Sequence, residues 1–201
     1  MTESIFQSSH HALMFAFNFS HQAYEPPLMN RLAWGPAAGL SKGLSGLDGA
    51  GQAGIILDLL SKLTFTQQYV LIVKYAPPTW PCHCRSQCCQ GFKRNTDWEE
   101  AVNQLGLVAV TEVLTGALSN RLLRNAMIKK SFGFDGAAIS ELAKRYGVSE
   151  RTAAGQHAQI RRWLRGVRNP KDASEHGLIN ISLARADSIL QDAGLINDTA
   201  E

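Results

Sequence analysis

An all-α protein is the fold class that this sequence predicts, on three observations. Apolar residues recur at three- and four-residue spacing through most of the chain. Side chains that cap helix N-termini stand just ahead of several of those stretches. No run of alternating polar and apolar residues with hairpin turns interrupts them. With 201 residues the chain can build one or two small domains with a proper core. The expected division is a helical domain over 1–118 with a cysteine-rich loop at 82–89, a basic module over 119–171, and an acidic C-terminal helix over 172–201.

Each element has its own signal. Ser8 or Ser9 is placed to cap a helix reaching about Tyr24, with Ala12, Phe15, Phe19 and Ala23 on one stripe, stopped by Glu25-Pro26-Pro27. Seven glycines between Gly35 and Gly54 read as a loop or hinge. A helix then starts near Leu47 to Gly51 and runs through GIILDLLSKL. Another runs from Thr64 to the Pro77-Pro78 stop, with Tyr69, Ile72, Val73 and Ala76 on its apolar side. Thr96 and Glu99 have capping-box spacing before DWEEAVNQLG, and VAVTEVL is read as helix despite its β-branched residues. Ser119 is expected to cap NRLLRNAMIKKSF, whose buried stripe is Leu122, Leu123, Ala126 and Met127. A turn at Gly133 to Gly136 leads to two short helices around Gly147. The last helix carries Ile181, Ala184, Ile189 and Leu190 and is expected to pack or dimerise, or less simply to cover the basic face.

Charge is distributed unevenly. Residues 1–120 carry 7 Lys/Arg against 8 Asp/Glu, residues 121–171 carry 12 against 3, and residues 172–201 carry 1 against 6. A segment of net +9 that also has aliphatic periodicity is a folded basic module, and its default partner is a polyanion. No stretch approaches the ~20 apolar residues of a membrane span. The opening apolar run lacks a basic start and a small-residue cleavage site, so a cytoplasmic protein without an export signal is expected.

Residues 138–166 carry the most specific pattern. Ala143 is small enough for two helices to cross, with Ile139, Leu142 and Tyr146 on the core side. Gly147 permits a tight turn, Val148 plugs it, and Ser149 caps the second helix. Ala153, Ile160 and Leu164 continue the buried stripe. This segment resembles the helix-turn-helix of sigma-factor region four and of many phage and bacterial regulators. The resemblance implies that the second helix enters a DNA major groove while the first braces it. The alternative is an αα-hairpin with a basic surface.

The exposed side of that second helix would present Ser149, Glu150, Arg151, Ala154, Gly155, Ala158, Gln159 and Arg162. Arg151 suits guanine, and Gln159, further along, suits adenine. Arg161, Arg162, Arg165, Arg168 and Lys171, with Lys144 and Arg145 of the first helix, are placed as phosphate contacts, which fix affinity and register. Arg121, Arg124, Lys129 and Lys130 are expected to extend this face. Ala154, Gly155 and Ala158 offer only close approach and thymine-methyl contacts, so few groups read bases. Cooperation with another bound protein or a second DNA contact therefore fits better than a sharply specific operator binder.

All four cysteines, Cys82, Cys84, Cys88 and Cys89, fall within eight residues. Thiols in a reducing compartment are not expected to pair as disulfides, and four so close together suit a zinc ion held tetrahedrally. The spacing is C-x-C-x3-C-C rather than paired C-x-x-C, and adjacent Cys88 and Cys89 diverge, so His83, or a distant His10, His11 or His21, is an alternative ligand. A redox-sensitive or incidental thiol loop is the other reading. No phosphate-binding glycine loop, GxSxG or HExxH occurs, and the chain is expected not to be an enzyme.

The plan as a whole, a cysteine loop followed by a sigma-region-four-like module, is similar to that of phage Q-type antiterminators. The resemblance implies a transcription regulator of a phage or mobile element, working on double-stranded DNA beside RNA polymerase, with a homodimer through the C-terminal helix as a further candidate partner. An antitermination factor is the alternative within that class. A non-enzymatic adaptor that offers its basic face to an acidic protein is the alternative outside it.

Overall fold

The computed structural model describes residues 5–22, 46–82, 84, 90–114, 120–167 and 176–196. Over these residues the protein is mostly helical, with eight helices and one two-stranded sheet. In chain order they are α1 (Ser9–Gln22), α2 (Gly46–Leu60), α3 (Phe65–Tyr75), β1 (Thr79–Pro81), β2 (Phe92–Arg94), α4 (Thr96–Glu112), α5 (Arg121–Phe132), α6 (Ile139–Arg145), α7 (Glu150–Arg165) and α8 (Leu178–Asp192). Among the described residues no helix is long and apolar enough to cross a membrane. The expected cap at Ser119 and the stripe residue Ala23 lie outside the described residues.

The caps explain where the helices begin. The Ser8 hydroxyl accepts from the His11 backbone at 3.3 Å, and Ala12, Phe15 and Phe19 are buried beyond it. Thr64 and Gln67 close a reciprocal capping box on α3. The cap of α4 is Asn95, not Thr96. Its Oδ1 accepts from the backbones of Asp97 and Trp98, while its own amide donates to Pro77 O at 2.8 Å. Asn95 thus ties α4 to the chain leaving α3, which a capping-box spacing does not reveal.

Two apolar cores share α3 and α8. One gathers Leu13, Phe15, Ile56, Leu71 and Leu190 from α1, α2, α3 and α8. The other gathers Val73, Trp98, Leu105, Met127, Leu142 and Leu164 from α3 through α7. Helix α3 therefore buries two sides, with Val70 and Val73 on one and Leu71 and Tyr75 on the other. Helix α8 does the same, giving Ile179 to the second core and Ala186, Ile189 and Leu190 to the first. Of the four residues expected on its stripe, Ile189 and Leu190 are buried, whereas Ile181 and Ala184 are exposed. At its C-terminal end Phe6 N donates to Leu195 O at 3.2 Å, joining the start of the described chain to its end.

The β-hairpin was not foreseen. Its strands are three residues each, pairing Thr79 with Arg94 and Pro81 with Phe92. Such a length is too short to show an alternating pattern. The pairing continues as Cys82 N donating to Gly91 O at 2.8 Å, which draws together the two ends of the cysteine loop.

Candidate nucleic-acid interface

The α6–α7 pair is set by a few local choices. Ala138 N–H donates to Glu141 Oε2 at 3.1 Å and opens α6. Leu142 and Ala143 are buried, and Ala143 accepts from Val148 N at 3.0 Å across the turn. Gly147 takes φ 67°, a left-handed conformation that a side chain disfavours. Ser149 then caps α7, its hydroxyl accepting from Thr152 N at 3.1 Å. Along α7, Ala153, Ile160 and Leu164 are fully buried. These positions anchor one side of the helix and leave the other to solvent.

That outer side carries Ser149, Glu150, Arg151, Ala154, Gly155, Ala158, Gln159 and Arg162, all exposed. Arg161 is exposed beside them, and Lys144 and Arg145 are exposed on α6. Nothing stands within 4 Å of where a Cβ on Gly155 would be, so the surface is open to close approach at this point. Arg168 and Lys171 lie outside the described residues.

Several predicted cations have other occupations. Arg124 is buried, 5% exposed, and cannot extend the face; burial, with Arg121 nearby, pushes its pKa down. Lys130 donates to Ala137 O at 2.7 Å, and Lys129 sits 5.2 Å above the Trp98 ring. Arg165 donates through Nε to Ser131 O at 2.8 Å, so it also pins α7 to the end of α5. Of the stripe expected on α5, Leu123, Ala126 and Met127 are buried, but Leu122 is 55% exposed, and Arg124 and Ile128 turn inward as well.

Sequence reasoning missed two features of α7. Trp163 donates from its indole to Glu112 Oε2 at 3.1 Å, linking α7 to the end of α4. His157 is half-buried, and its pKa is pushed down first by burial and then by Lys130, Arg161 and Arg165. The spacing of His157 and Arg161, one helical turn apart, was the available signal.

Of the proposed metal ligands, Cys82 is half-buried and Cys84 exposed at the mouth of the hairpin. His83, Cys88 and Cys89 lie outside the described residues. Among the described residues no three His, Cys, Asp or Glu side chains come together as a metal site. His10, another candidate ligand, shares a hydrogen bond of 3.2 Å with the Tyr75 hydroxyl.

No protein-family model, curated protein or solved structure matches this chain.

Proposed function

We propose that the chain is a DNA-binding transcription regulator of a phage or mobile element, with α6 and α7 acting as a helix-turn-helix. The observation that carries this reading is the two-sided character of α7: apolar anchors on one side, and Arg151, Arg161 and Arg162 with small residues on the other. A rigid helix of that kind suits a major groove, since the small residues let the backbone approach while the arginines meet phosphates and guanine. Ser149 and the N-terminal turn of α7 face a phosphate, Arg151 reads guanine, and Gln159 adenine. Lys144, Arg145, Arg161 and Arg162 contact the backbone.

Ala154, Gly155 and Ala158 supply no hydrogen bonds to bases. This favours action together with RNA polymerase or another bound protein, and it keeps antitermination as the alternative role. The test is binding of the full chain to random duplex DNA across a salt series. With about five phosphates neutralised, the log–log slope is expected near −4 to −5. A flat response would remove the nucleic-acid reading and favour an adaptor for an acidic protein.

A further inference from the structure

The ends of α3, α5 and α7 and the start of α8 leave a cavity of about 300 Å³, one turn along α7 from the exposed Arg161 and Arg162. Lys74 enters it from the last turn of α3 and Arg165 from the last turn of α7. Phe132, Phe134 and Ile179 give it apolar walls, and Asn180 adds an amide. Among the described residues no carboxylate lines it. Two cations from separate helices therefore converge on one concavity without a built-in counter-charge.

The Arg165 side chain is not loose. Its Nε donates to the Ser131 carbonyl at 2.8 Å, which fixes the plane of the guanidinium and leaves its terminal nitrogens outside that bond. A guanidinium held this way is prepared for a planar anion, because the rotamer entropy of binding has already been spent in folding. Phe134 is fixed in turn by the edge of the Trp98 ring, 5.2 Å away at 83°. The site thus has a held cation, an aromatic wall, and a second cation, Lys74, whose ammonium lies 5.9 Å over the Tyr75 ring and swings from it to meet an anion.

We infer that this cavity binds a small organic anion with one aromatic ring, its carboxylate between Lys74 and Arg165 and its ring against Phe132 and Phe134. The volume is at the low end for ligand pockets, which suits one ring and one charged group rather than a nucleotide. The inference does not depend on DNA binding, since it rests on the lining of this cavity and is tested with a small anion in the absence of DNA.

The test uses equilibrium dialysis of the full chain with labelled benzoate, acetate and benzylamine. Benzoate is expected to bind saturably at one site per chain, with acetate at least tenfold weaker and benzylamine not bound. Lys74→Met keeps the apolar stem of an exposed side chain and is expected to weaken benzoate at least fivefold, with the circular dichroism spectrum unchanged. Arg165→Lys retains charge without the planar fork and is expected to weaken it similarly. Equal binding of benzoate and benzylamine, or benzoate binding unaffected by both substitutions, would overturn the assignment. Acetate binding as tightly as benzoate would overturn the aromatic part of it.

Discussion

Arg151 and Arg162 share the outer side of α7 but stand eleven residues, about three turns, apart. Arg151 lies in the first turn, where a groove-bound helix meets base edges, and Arg162 near the end, where it meets the backbone. Arg151→Ala is expected to lose ~1–3 kcal/mol of discrimination at one base position, whereas Arg162→Ala weakens all sequences alike and lowers the salt slope by about 1. Competition binding with single-base operator variants separates the two, and identical behaviour would mean that the helix is docked in another phase. Arg165 is a poor control for phosphate contact, because its bond to Ser131 O makes its loss structural as well. His157 supplies a different test. Its Nε2 is buried without a hydrogen-bond partner among the described residues, and Lys130, Arg161 and Arg165 crowd it with positive charge. Above about pH 6.5 the ring is neutral both folded and unfolded. As the pH falls below that value, the unfolded chain takes up a proton that the folded chain resists, so stability is lost down to the lowered pKa of the folded state. Denaturant titrations at pH 7.5 and 5.5 are expected to show a smaller acid loss in His157→Gln than in the parent. An equal loss in both would mean that His157 is not the responsible group.

The α6–α7 turn was legible because a glycine, a plug and a cap must follow one another within three residues, and each has a local physical reason. Nothing stands within 4 Å of where a Cβ on Gly147 would lie, so the cost of substitution there is backbone strain alone. Gly147→Ala is expected to destabilise the protein by roughly 1–2 kcal/mol in a thermal melt, with Gly147→Asn milder because asparagine tolerates this conformation. What was not legible depended on distant partners. Asn95 rather than Thr96 caps α4 because Pro77 and Pro78 present carbonyls to it. Arg124 is buried and Leu122 exposed because the side of α5 that packs on α4 and α7 is chosen by those helices and not by its own apolar spacing. The hairpin escaped notice because three-residue strands hold no period, yet it brings the ends of the cysteine loop together through Cys82 and Gly91. We keep zinc as the proposed occupant of that loop, with Cys82, Cys84, Cys88 and Cys89 or His83 as ligands. Elemental analysis of protein prepared under reducing conditions is expected to find about one zinc per chain. Chelation should speed hydrogen exchange in Thr79–Arg94 before it affects α7, and metal-free protein indifferent to chelators would end the zinc proposal.

At the scale of the whole molecule the basic segment does not own its core. Leu123, Met127, Leu142, Ile160 and Leu164 lie in one cluster with Val73 of α3 and Trp98 and Leu105 of α4. Trp98 adds a hydrogen bond to Val73 O at 3.1 Å, and Glu112 holds Trp163 of α7. At the other end, Gly177 lets α8 press against the end of α7: a Cβ there would come within 2.1 Å of the Arg165 carbonyl carbon. The acidic helix thereby bridges both cores rather than standing apart. Buried leucines in such a cluster each contribute about 1.5–3 kcal/mol, but only while their neighbours are present. A fragment of residues 119–171 would expose the inward side of α5 and the anchors of α7 to water, and it also lacks the α4 and α8 contacts that hold α7 in place. It is expected to show little cooperative melting, with duplex binding that persists only as weak, salt-sensitive charge attraction. In the full chain, Leu164→Ala is expected to cost about 2–5 kcal/mol. That loss should appear as a single shifted transition, coincident by tryptophan fluorescence and by circular dichroism, because Trp98 and α7 share the core. A fragment that melts cooperatively at the temperature of the intact protein, or a Leu164→Ala variant in which the two probes separate, would show instead that α5 to α7 fold independently of the front helices.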